Sequence, residues 1–260
     1  MIKSLWIAKT GLEANQAALD VISNNLANSN TSGFKRSRAV FEDLMYQTEK
    51  APGSATGGSN VSPTGVQIGT GVRQVANVRN HSQGSLTSTG NPLDIAIQGN
   101  GFFKVELPDG SNGYTRDGSL QVNAEGLLVT SNGNKIVPNI QIPQGANNIS
   151  ISQDGQVTAT IGNSTVPTAI GNITITNFLN PAGLTAIGNN TLLESTASGA
   201  PQDVTPGFDG SGTLGQGFVE ASNVNVVEEL VSMIQSQRAY EINSKAIQAA
   251  DQMLQKISQI

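Results

Sequence analysis

The chain has 260 residues, carries a formal net charge of −5, and contains few charged (13%) and few aromatic (4%) side chains. Its length allows one or two domains with a buried core. Binding to nucleic acid or to anionic lipid depends on clustered Lys and Arg. The one basic cluster is Lys35, Arg36 and Arg38, which we interpret as a solvated or inter-subunit face. We therefore expect no nucleic-acid partner and no membrane insertion.

The residue types that carry most enzyme chemistry are scarce. There is no cysteine, which excludes disulfides, thiolate nucleophiles and Cys-bound metals. His81 is the single histidine, so neither a Ser-His-Asp triad nor a His-based metal site has a credible partner. We predict that His81 is a polar loop residue. We expect no catalytic, cofactor-binding or metal-binding residues, no cofactor, and no enzyme activity.

The first predicted element is a helix from Ser4 to Ala27. Leu5, Leu12, Leu19 and Leu26 recur at the seven-residue spacing of a coiled coil, and Ile22 fills an intervening position of the same seam. A second apolar line of Ile7, Ala14 and Val21 lies on nearly the opposite side. A helix that is apolar on two faces is normally buried between several neighbours. The alternative is a lone amphipathic helix that packs on its own domain.

The N-terminal apolar run is short. It extends only from Leu5 to Ala8, between Lys3 and Lys9, which is too short for a signal peptide. No later run approaches the length of a membrane span. If the protein leaves the cytoplasm, we expect it to be exported without a cleaved signal peptide.

A polar run from Asn28 to Gly33 interrupts the helical pattern, and a mixed segment begins at Phe34. From Tyr46 to Gly65 the composition is rich in Gly, Ser, Thr and Pro, which by itself is typical of a flexible linker. We predict that residues 31–75, including this 46–65 insertion, form an extended linking segment.

The middle of the chain alternates apolar and polar residues between turn signals. Runs such as Leu93, Ile95 and Ile97 have the period of half-buried strands. Five Asx-Gly pairs predict hairpin turns: Asp109-Gly110, Asn112-Gly113, Asp117-Gly118, Asn132-Gly133 and Asp154-Gly155. Residues 76–222 are therefore predicted to form an antiparallel β-rich outer domain.

The last predicted element is a long helix from Asn223 to Ile260. Asn225 is suited to cap it, with Glu228 and Glu229 in the first turn. One apolar line, which we call the seam of this helix, recurs every seven residues: Val226, Met233, Tyr240, Ile247 and Leu254. A second apolar line, which includes Ile257, lies about 100° away around the helix axis. The opposite side carries a polar stripe: Glu241, Lys245, Gln248, Gln252, Gln255 and Gln259.

These elements predict an α+β fold with two long terminal helices packed as a coiled-coil-like pair. Residues 1–30 and 223–260 would form the helical core domain. At about 1.5 Å per residue the first helix is roughly 36 Å long and the last roughly 55 Å. Pairing the two helices would leave apolar surface exposed on the longer one. We expect other copies of the chain to cover that surface.

Four separated motifs resemble those of bacterial flagellar rod and hook proteins. The first motif runs from Ile22 to Arg36 and contains Asn24, Asn25, Leu26, Ala27, Asn28, Gly33, Phe34 and Lys35. The others are Asn91-Pro92-Leu93-Asp94 with Gly99 to Phe103, then Tyr114 to Gly118, then Glu220 to Val226 with Gln237-Arg238-Ala239-Tyr240. Within this axial protein family the chain most resembles the distal rod protein.

The resemblance implies a self-assembling subunit of a hollow helical rod in the flagellar basal body, spanning the periplasm and transmitting motor torque to the hook. It implies that later subunits are exported through a central channel. Implied partners are other copies of the chain, proximal rod subunits, hook or hook-junction subunits, and surrounding ring proteins. In such a tube the polar stripe would line the channel, with Lys245, Gln248, Gln252, Gln255 and Gln259 facing water.

Two other classes compete with this interpretation. One is a secreted β-rich surface or adhesive protein with helical termini, which would stay monomeric or bind a host ligand. The other is a carbohydrate-active enzyme, which would place paired carboxylates in a pocket.

Overall fold

The computed structural model describes residues 2–53, 55–57, 60–61, 63–162 and 166–258. Two long helices and a β-rich middle give an α+β fold, as predicted. The chain forms two compact units. The helical unit contains Met1–Ala27, Ser37–Val78 and Asn225–Ile260, and the β unit contains Asn28–Arg36 and Arg79–Val224. Residues 37–75 of the predicted linking segment thus group with the helices, together with residues 76–78.

In the part of the helical unit that the structure describes there are two helices and six short strands. Its elements are α1 (Ile2–Ala27), β1 (Ser37–Asp43), β2 (Gln47–Lys50), β3 (Ala55–Gly57), β4 (Asn60–Val61), β5 (Val66–Ile68), β6 (Val72–Arg79, whose last residue falls in the β unit) and α2 (Val226–Ser258). The end of α1 and the start of α2 both have local causes. Turns from Asn28 onward end α1, and the Asn225 side-chain oxygen accepts the Val227 N–H at 3.1 Å, which caps α2 as predicted.

The 46–65 insertion contains paired strands. β2 pairs antiparallel with β5 and β3 with β4, while β1 pairs with β6, so the pairs nest along one ribbon. The composition of a flexible linker therefore predicted the wrong local structure for the described residues. Backbone hydrogen bonds between strands do not depend on side-chain type, so a composition rich in Gly, Ser and Thr does not prevent these pairings. Residues 54, 58, 59 and 62 lie outside the described residues.

The β unit contains sixteen strands and one 3₁₀ turn among its described residues. They are β7 (Leu86–Ser88), β8 (Ile95–Gln98), β9 (Phe102–Glu106), β10 (Asn112–Thr115), β11 (Leu120–Val122), β12 (Leu128–Thr130), β13 (Lys135–Ile136), β14 (Ala146–Ile151), β15 (Gln156–Ile161), β16 (Thr168–Asn172), β17 (Ile175–Asn177), the turn Pro181–Gly183, β18 (Thr185–Gly188), β19 (Thr191–Leu193), β20 (Gln202–Val204), β21 (Thr213–Gln216) and β22 (Phe218–Glu220).

Antiparallel pairing organises these strands. The largest sheet has the order β11-β12-β13-β9-β10-β19-β18, and β17 joins it by pairing with both β9 and β20. β14, β15 and β16 form a second sheet, while β21 pairs with β8 and β22 with β7. The predicted antiparallel β middle is therefore confirmed.

Strand β9 separates two apolar clusters because its side chains alternate between faces. Phe103 and Val105 point into the main core, which also holds Ile95, Leu120 and Ile175. Phe102 belongs instead to a smaller cluster with Tyr114, Phe178 and Leu184, in which the aromatic rings meet edge to face.

Three of the five Asx-Gly pairs form the predicted hairpin turns. Asp109-Gly110 joins β9 to β10, Asn132-Gly133 joins β12 to β13, and Asp154-Gly155 joins β14 to β15. The other two predictions were wrong. Asn112-Gly113 lies within β10, opposite Glu106 and Val105, and Asp117-Gly118 lies in the loop that follows β10. Asn112-Gly113 falls within β10 because Asp109-Gly110 already forms the turn of that hairpin, and the Gly118 carbonyl accepts the Ile95 N–H instead of closing a turn.

Candidate assembly surface and motif cluster

The two helices pack antiparallel. An Asn25 amide N–H donates to the Glu229 carboxylate at 3.2 Å, and a Cβ added to Gly11 would lie 3.0 Å from Nδ2 of Asn243. These two contacts are fourteen residues apart on each helix, and the numbering runs in opposite directions. Gly11 therefore marks a close approach that a larger side chain would obstruct.

The side of α2 that is covered within the chain is mostly small or polar. Its buried and half-buried residues follow a helical spacing and are Glu229, Ser232, Met233, Ser236, Ala239, Asn243, Ser244, Ile247 and Ala250. Asn25 is buried opposite this line. Its side-chain oxygen accepts the Ser37 N–H at 2.9 Å and its NH₂ group donates to the Ser37 carbonyl at 2.8 Å, which ties α1 to β1 as well as to α2.

The predicted seam residues are only partly covered within one chain. On α1, Ile22 is buried and Leu5, Leu12, Leu19 and Leu26 are half-buried. On α2, Met233 and Ile247 are half-buried, whereas Val226 and Tyr240 each remain 41% exposed. The side chains of Leu254 and Ile257 lie outside the described ones. The covered side of α2 thus combines the seam residues Met233 and Ile247 with small and polar residues.

The face of α2 opposite this covered side is divided along its length. Its first half carries an outer apolar line, Val227, Leu230, Val231 and Ile234, of which Val227 is 69% and Ile234 50% exposed. Its second half carries the predicted polar stripe, in which Glu241, Lys245, Gln248, Gln252 and Gln255 are exposed. Gln259 lies outside the described residues. One helical face therefore offers apolar surface first and amide surface afterwards.

The rod/hook motif after Leu26 folds as a chain reversal. Asn24 is exposed, Ala27 ends α1, and the Asn28 carbonyl accepts the Thr31 N–H at 3.2 Å. Gly33 has φ +69°, and a Cβ at this position would lie 2.8 Å from the backbone carbon of Arg116. Both the left-handed backbone and the close contact require glycine. Phe34 beyond it is half-buried.

A buried charged cluster lies beside this reversal. Glu220 is 1% exposed, and its carboxylate accepts from Lys35 Nζ at 2.6 Å and from Arg116 Nε at 2.5 Å. The Gly84 N–H donates to the same carboxylate at 2.8 Å. We call Lys35, Arg116 and Glu220 the Glu220 cluster. Lys35 was wrongly predicted to be solvated, and within the basic run only Arg38 is exposed.

Hydrogen bonds around the cluster hold the 28–36 stretch of the β unit beside both ends of its 79–224 stretch. The Gly33 N–H donates to the Glu220 carbonyl at 2.8 Å. Asn223 accepts the Arg36 N–H at 2.7 Å and donates to the carbonyls of Asn80 and Ser82. Arg116 also donates to the carbonyl oxygens of Ile97, Gly99 and Gly101. Burial alone would raise the pKa of Glu220, but Arg116 and Lys35 outweigh it and hold that pKa below its usual value.

A cavity of about 440 Å³ opens next to the cluster. Its lining includes Lys35, Arg116, His81, Phe102 and Phe178. The His81 ring meets Phe102 edge to face, with ring centroids 5.8 Å apart, and both imidazole nitrogens are buried without a hydrogen-bond partner. His81 lies in a loop, as predicted, but its ring is packed against Phe102 and both of its nitrogens are shielded from water. Burial, with the charges of Lys35, Arg79 and Arg116, lowers its pKa to about 4.

Sequence reasoning missed the roles of Arg116, Glu220 and Glu229. Arg116 and Glu220 occur inside recognisable motifs, but their pairing joins residues 104 positions apart, which no local pattern shows. Among the described residues, no group of three His, Cys, Asp or Glu side chains is placed to hold a metal ion. Within that same part of the chain, no helix has the length and apolar character needed to span a membrane.

We predict that Glu220→Gln lowers the free energy of unfolding of the β unit by about 3–5 kcal/mol, because it leaves Lys35 and Arg116 buried without a counter-charge. Urea denaturation followed by circular dichroism measures this. Glu125→Gln, an exposed substitution in the same unit, is the matched control and should change stability by less than about 0.5 kcal/mol. Equal stability of the two variants would contradict the structural role of the cluster.

His81 gives a second prediction, for the pH dependence of stability. The pKa of His81 is about 4 in the fold and 6.5 as its ordinary value, so between these pH values the unfolded chain binds a proton that the folded chain does not. Stability should therefore fall as the pH drops from 6.5 to 4. Urea midpoints at pH 4.5, 5.5, 6.5 and 7.5 test this. His81→Gln should give a shallower slope, and an unchanged slope would contradict the assignment.

Three family models match separate parts of the chain. "Flagella basal body rod protein" matches residues 5–35, "Flagellar hook protein FlgE/F/G D1 domain" matches 96–159, and "Flagellar basal body rod FlgEFG protein C-terminal" matches 216–260. Each matched region supplies one member of the Glu220 cluster: Lys35 from the first, Arg116 from the second and Glu220 from the third.

Relatives match over nearly the whole length. The chain is 56% identical to flagellar basal-body rod protein FlgG of Buchnera aphidicola subsp. Schizaphis graminum, covering 100% of both chains. It is 48% identical to FlgG of Borreliella burgdorferi, with 98% and 97% coverage, and 39% identical to FlgG of Bacillus subtilis, with 99% and 98% coverage. The predicted rod protein, most like the distal rod protein, is therefore confirmed: the chain belongs to the flagellar basal-body rod protein FlgG family and is a structural subunit of that rod.

Proposed function

We propose that copies of this chain assemble through α1 and α2 into a hollow helical tube that transmits motor torque to the hook. Repetition of one contact with a rotation that does not close generates such a filament. In this assembly the two helices and their neighbours pack as a coiled-coil-like core. Residues 1–30 and 223–260 form that core, residues 31–75 link neighbouring subunits, and residues 76–222 form the outer layer.

The outer apolar line of α2 is the observation that carries this proposal. Val227, Leu230, Val231 and Ile234 are 43–69% exposed although they lie together on one face. Burying each such side chain fully is worth about 1.5–3 kcal/mol. The covered side of α2 is mostly small or polar, with Met233 and Ile247 as its large apolar residues, so folding of one chain leaves the outer apolar line available. A second copy supplies matching helices to cover it.

The polar half of the same face supports a channel wall. Lys245, Gln248, Gln252 and Gln255 are exposed, and amide side chains hold neither charged nor apolar segments of a passing chain strongly. We propose that these residues, with Gln259, line the passage through which later subunits are exported. The apolar half of the face would then be covered by neighbours.

The partners follow from the place of such a tube in the basal body. We propose contacts with proximal rod subunits at one end, with hook or hook-junction subunits at the other, and with ring proteins around the outer layer. The net charge of −5 favours neither nucleic acid nor anionic lipid as a partner. The role is structural rather than enzymatic, and it needs no cofactor.

We predict that Ile234→Asp abolishes polymerisation and motility while leaving the isolated chain folded. Ile234 is half exposed in one chain, so a carboxylate there stays solvated until a neighbour buries it. Electron microscopy of concentrated protein and circular dichroism of dilute protein measure the two effects. Gln235→Asp adds the same charge at the adjacent exposed position and is the matched control. Rods of normal length formed by Ile234→Asp would refute the packing proposal.

The channel assignment predicts that replacing Gln248, Gln252 and Gln255 together by Leu leaves rods assembling but reduces export of hook subunits. An apolar wall would retain apolar segments of the passing chains. Export is measured as secreted hook protein per assembled rod. Replacing the same three residues by Ser keeps the wall polar and should preserve export. Normal export by the Leu variant, in rods of normal number, would place the stripe elsewhere.

A further inference from the structure

The cavity beside the Glu220 cluster has hydrogen-bonding capacity that the fold leaves unused. Of the three N–H donors of Lys35, two are bound by Ser82 and Glu220. Four of the five N–H donors of Arg116 are bound by Glu220, Ile97, Gly99 and Gly101. Both residues are 7% exposed, and His81 adds an imidazole with no partner at either nitrogen. Three buried polar groups therefore border one space.

Charge defines what this space accepts. Lys35 and Arg116 carry two positive charges, and Glu220 is the one acidic member of their cluster. Arg79 adds to the positive potential at His81, whereas Asp209 is the one acidic residue in the cavity lining. The floor of the cavity thus keeps an excess of positive charge within low-dielectric surroundings, where a single carboxylate would be favourable.

The walls define the rest of the ligand. Phe102 and Phe178 form an apolar side, and Leu179, which is 94% exposed, stands at the opening with Pro181. A volume of about 440 Å³ accommodates one or two side chains rather than a folded element. An acidic side chain that follows or precedes an apolar one fits both parts of the site.

We propose that this cavity receives the side chain of an Asp or Glu, together with an adjacent apolar side chain, from a second copy of the chain. The carboxylate binds the free N–H groups of Lys35 and Arg116, and His81 donates to it. The occupant rests on the proposed function, because rod subunits packed against copies of themselves meet those copies first. Acidic residues also outnumber basic ones by 19 to 14, so each copy offers carboxylates in excess.

The isolated chain tests the chemistry of the cavity. Because His81 is the single histidine, its imidazole gives one titrating NMR signal. We expect 4-methylpentanoate to raise the pKa of His81 from about 4 by roughly one unit or more, since an opposite charge within hydrogen-bonding distance favours the protonated ring. The neutral 4-methylpentanol should leave it unchanged. Equal effects of the acid and the alcohol, or no effect of either, would overturn carboxylate binding.

One exposed leucine, Leu179, and one exposed isoleucine, Ile187, give a matched pair of variants. Leu179→Ser removes the apolar opening of the cavity, whereas Ile187→Ser removes a 49% exposed side chain elsewhere in the β unit. We expect Leu179→Ser to weaken 4-methylpentanoate binding about fivefold or more, in line with the loss of a buried leucine contact. Ile187→Ser should bind like the wild-type chain. Equal binding by both variants would remove the cavity as the binding place.

The assembled protein tests the occupant. A photo-crosslinking residue at position 179, in polymerised wild-type background, should crosslink to an Asp- or Glu-containing peptide of another copy. Crosslinks only to a ring protein, or to neutral segments of another copy, would overturn the assignment. If the chain does not polymerise at all, the proposed function fails and the occupant fails with it. The NMR titration still decides separately whether the cavity binds carboxylates.

Discussion

The carboxylate of Glu220 is the interaction on which the order of the β unit depends. It balances two buried cations and is itself held ionised by them, and the adjoining backbone bond from Gly33 places the incoming and outgoing chain side by side. A buried ion pair adds little net stability compared with an apolar replacement. Its value is positional, because only one arrangement satisfies Lys35, Arg116 and Glu220 together.

Local signals predicted the elements whose causes are local. Heptad spacing predicted both helices, Asn225 predicted the start of α2, and three Asx-Gly pairs predicted the hairpins at Gly110, Gly133 and Gly155. The errors have different origins. Asn112-Gly113 became part of β10 because Asp109-Gly110 already forms the turn of that hairpin. The 46–65 insertion contains paired strands because backbone hydrogen bonds join β2 to β5 whatever the side-chain composition.

Of the candidate site, too, one part was predictable from the sequence and another part was not. The polar stripe on α2 follows from helical periodicity, so its exposed residues were predictable. The covered side of α2 was not predictable from periodicity. It is defined by contacts with α1, in which Asn243 approaches Gly11 and Glu229 accepts a hydrogen bond from Asn25. Burial of His81 and Lys35 escaped prediction for a related reason. Sequence analysis predicts that a charged residue is exposed to solvent unless an oppositely charged partner is recognised. The partner of Lys35 is Glu220, which is 185 residues away in the chain.

The divided face of α2 constrains how copies can pack. Solvent cannot border the whole face, because the apolar side chains of Val227, Val231 and Ile234 would then remain exposed to water in the finished rod. Covering the second half of the face would remove Lys245 and the exposed glutamines beyond it from water, which costs free energy unless each gains a polar partner. In the proposed tube, the boundary between Ile234 and Glu241 would mark the level at which subunit contact gives way to solvent. Each subunit of that tube would then have a protein-packed zone and a channel-lining zone at different heights.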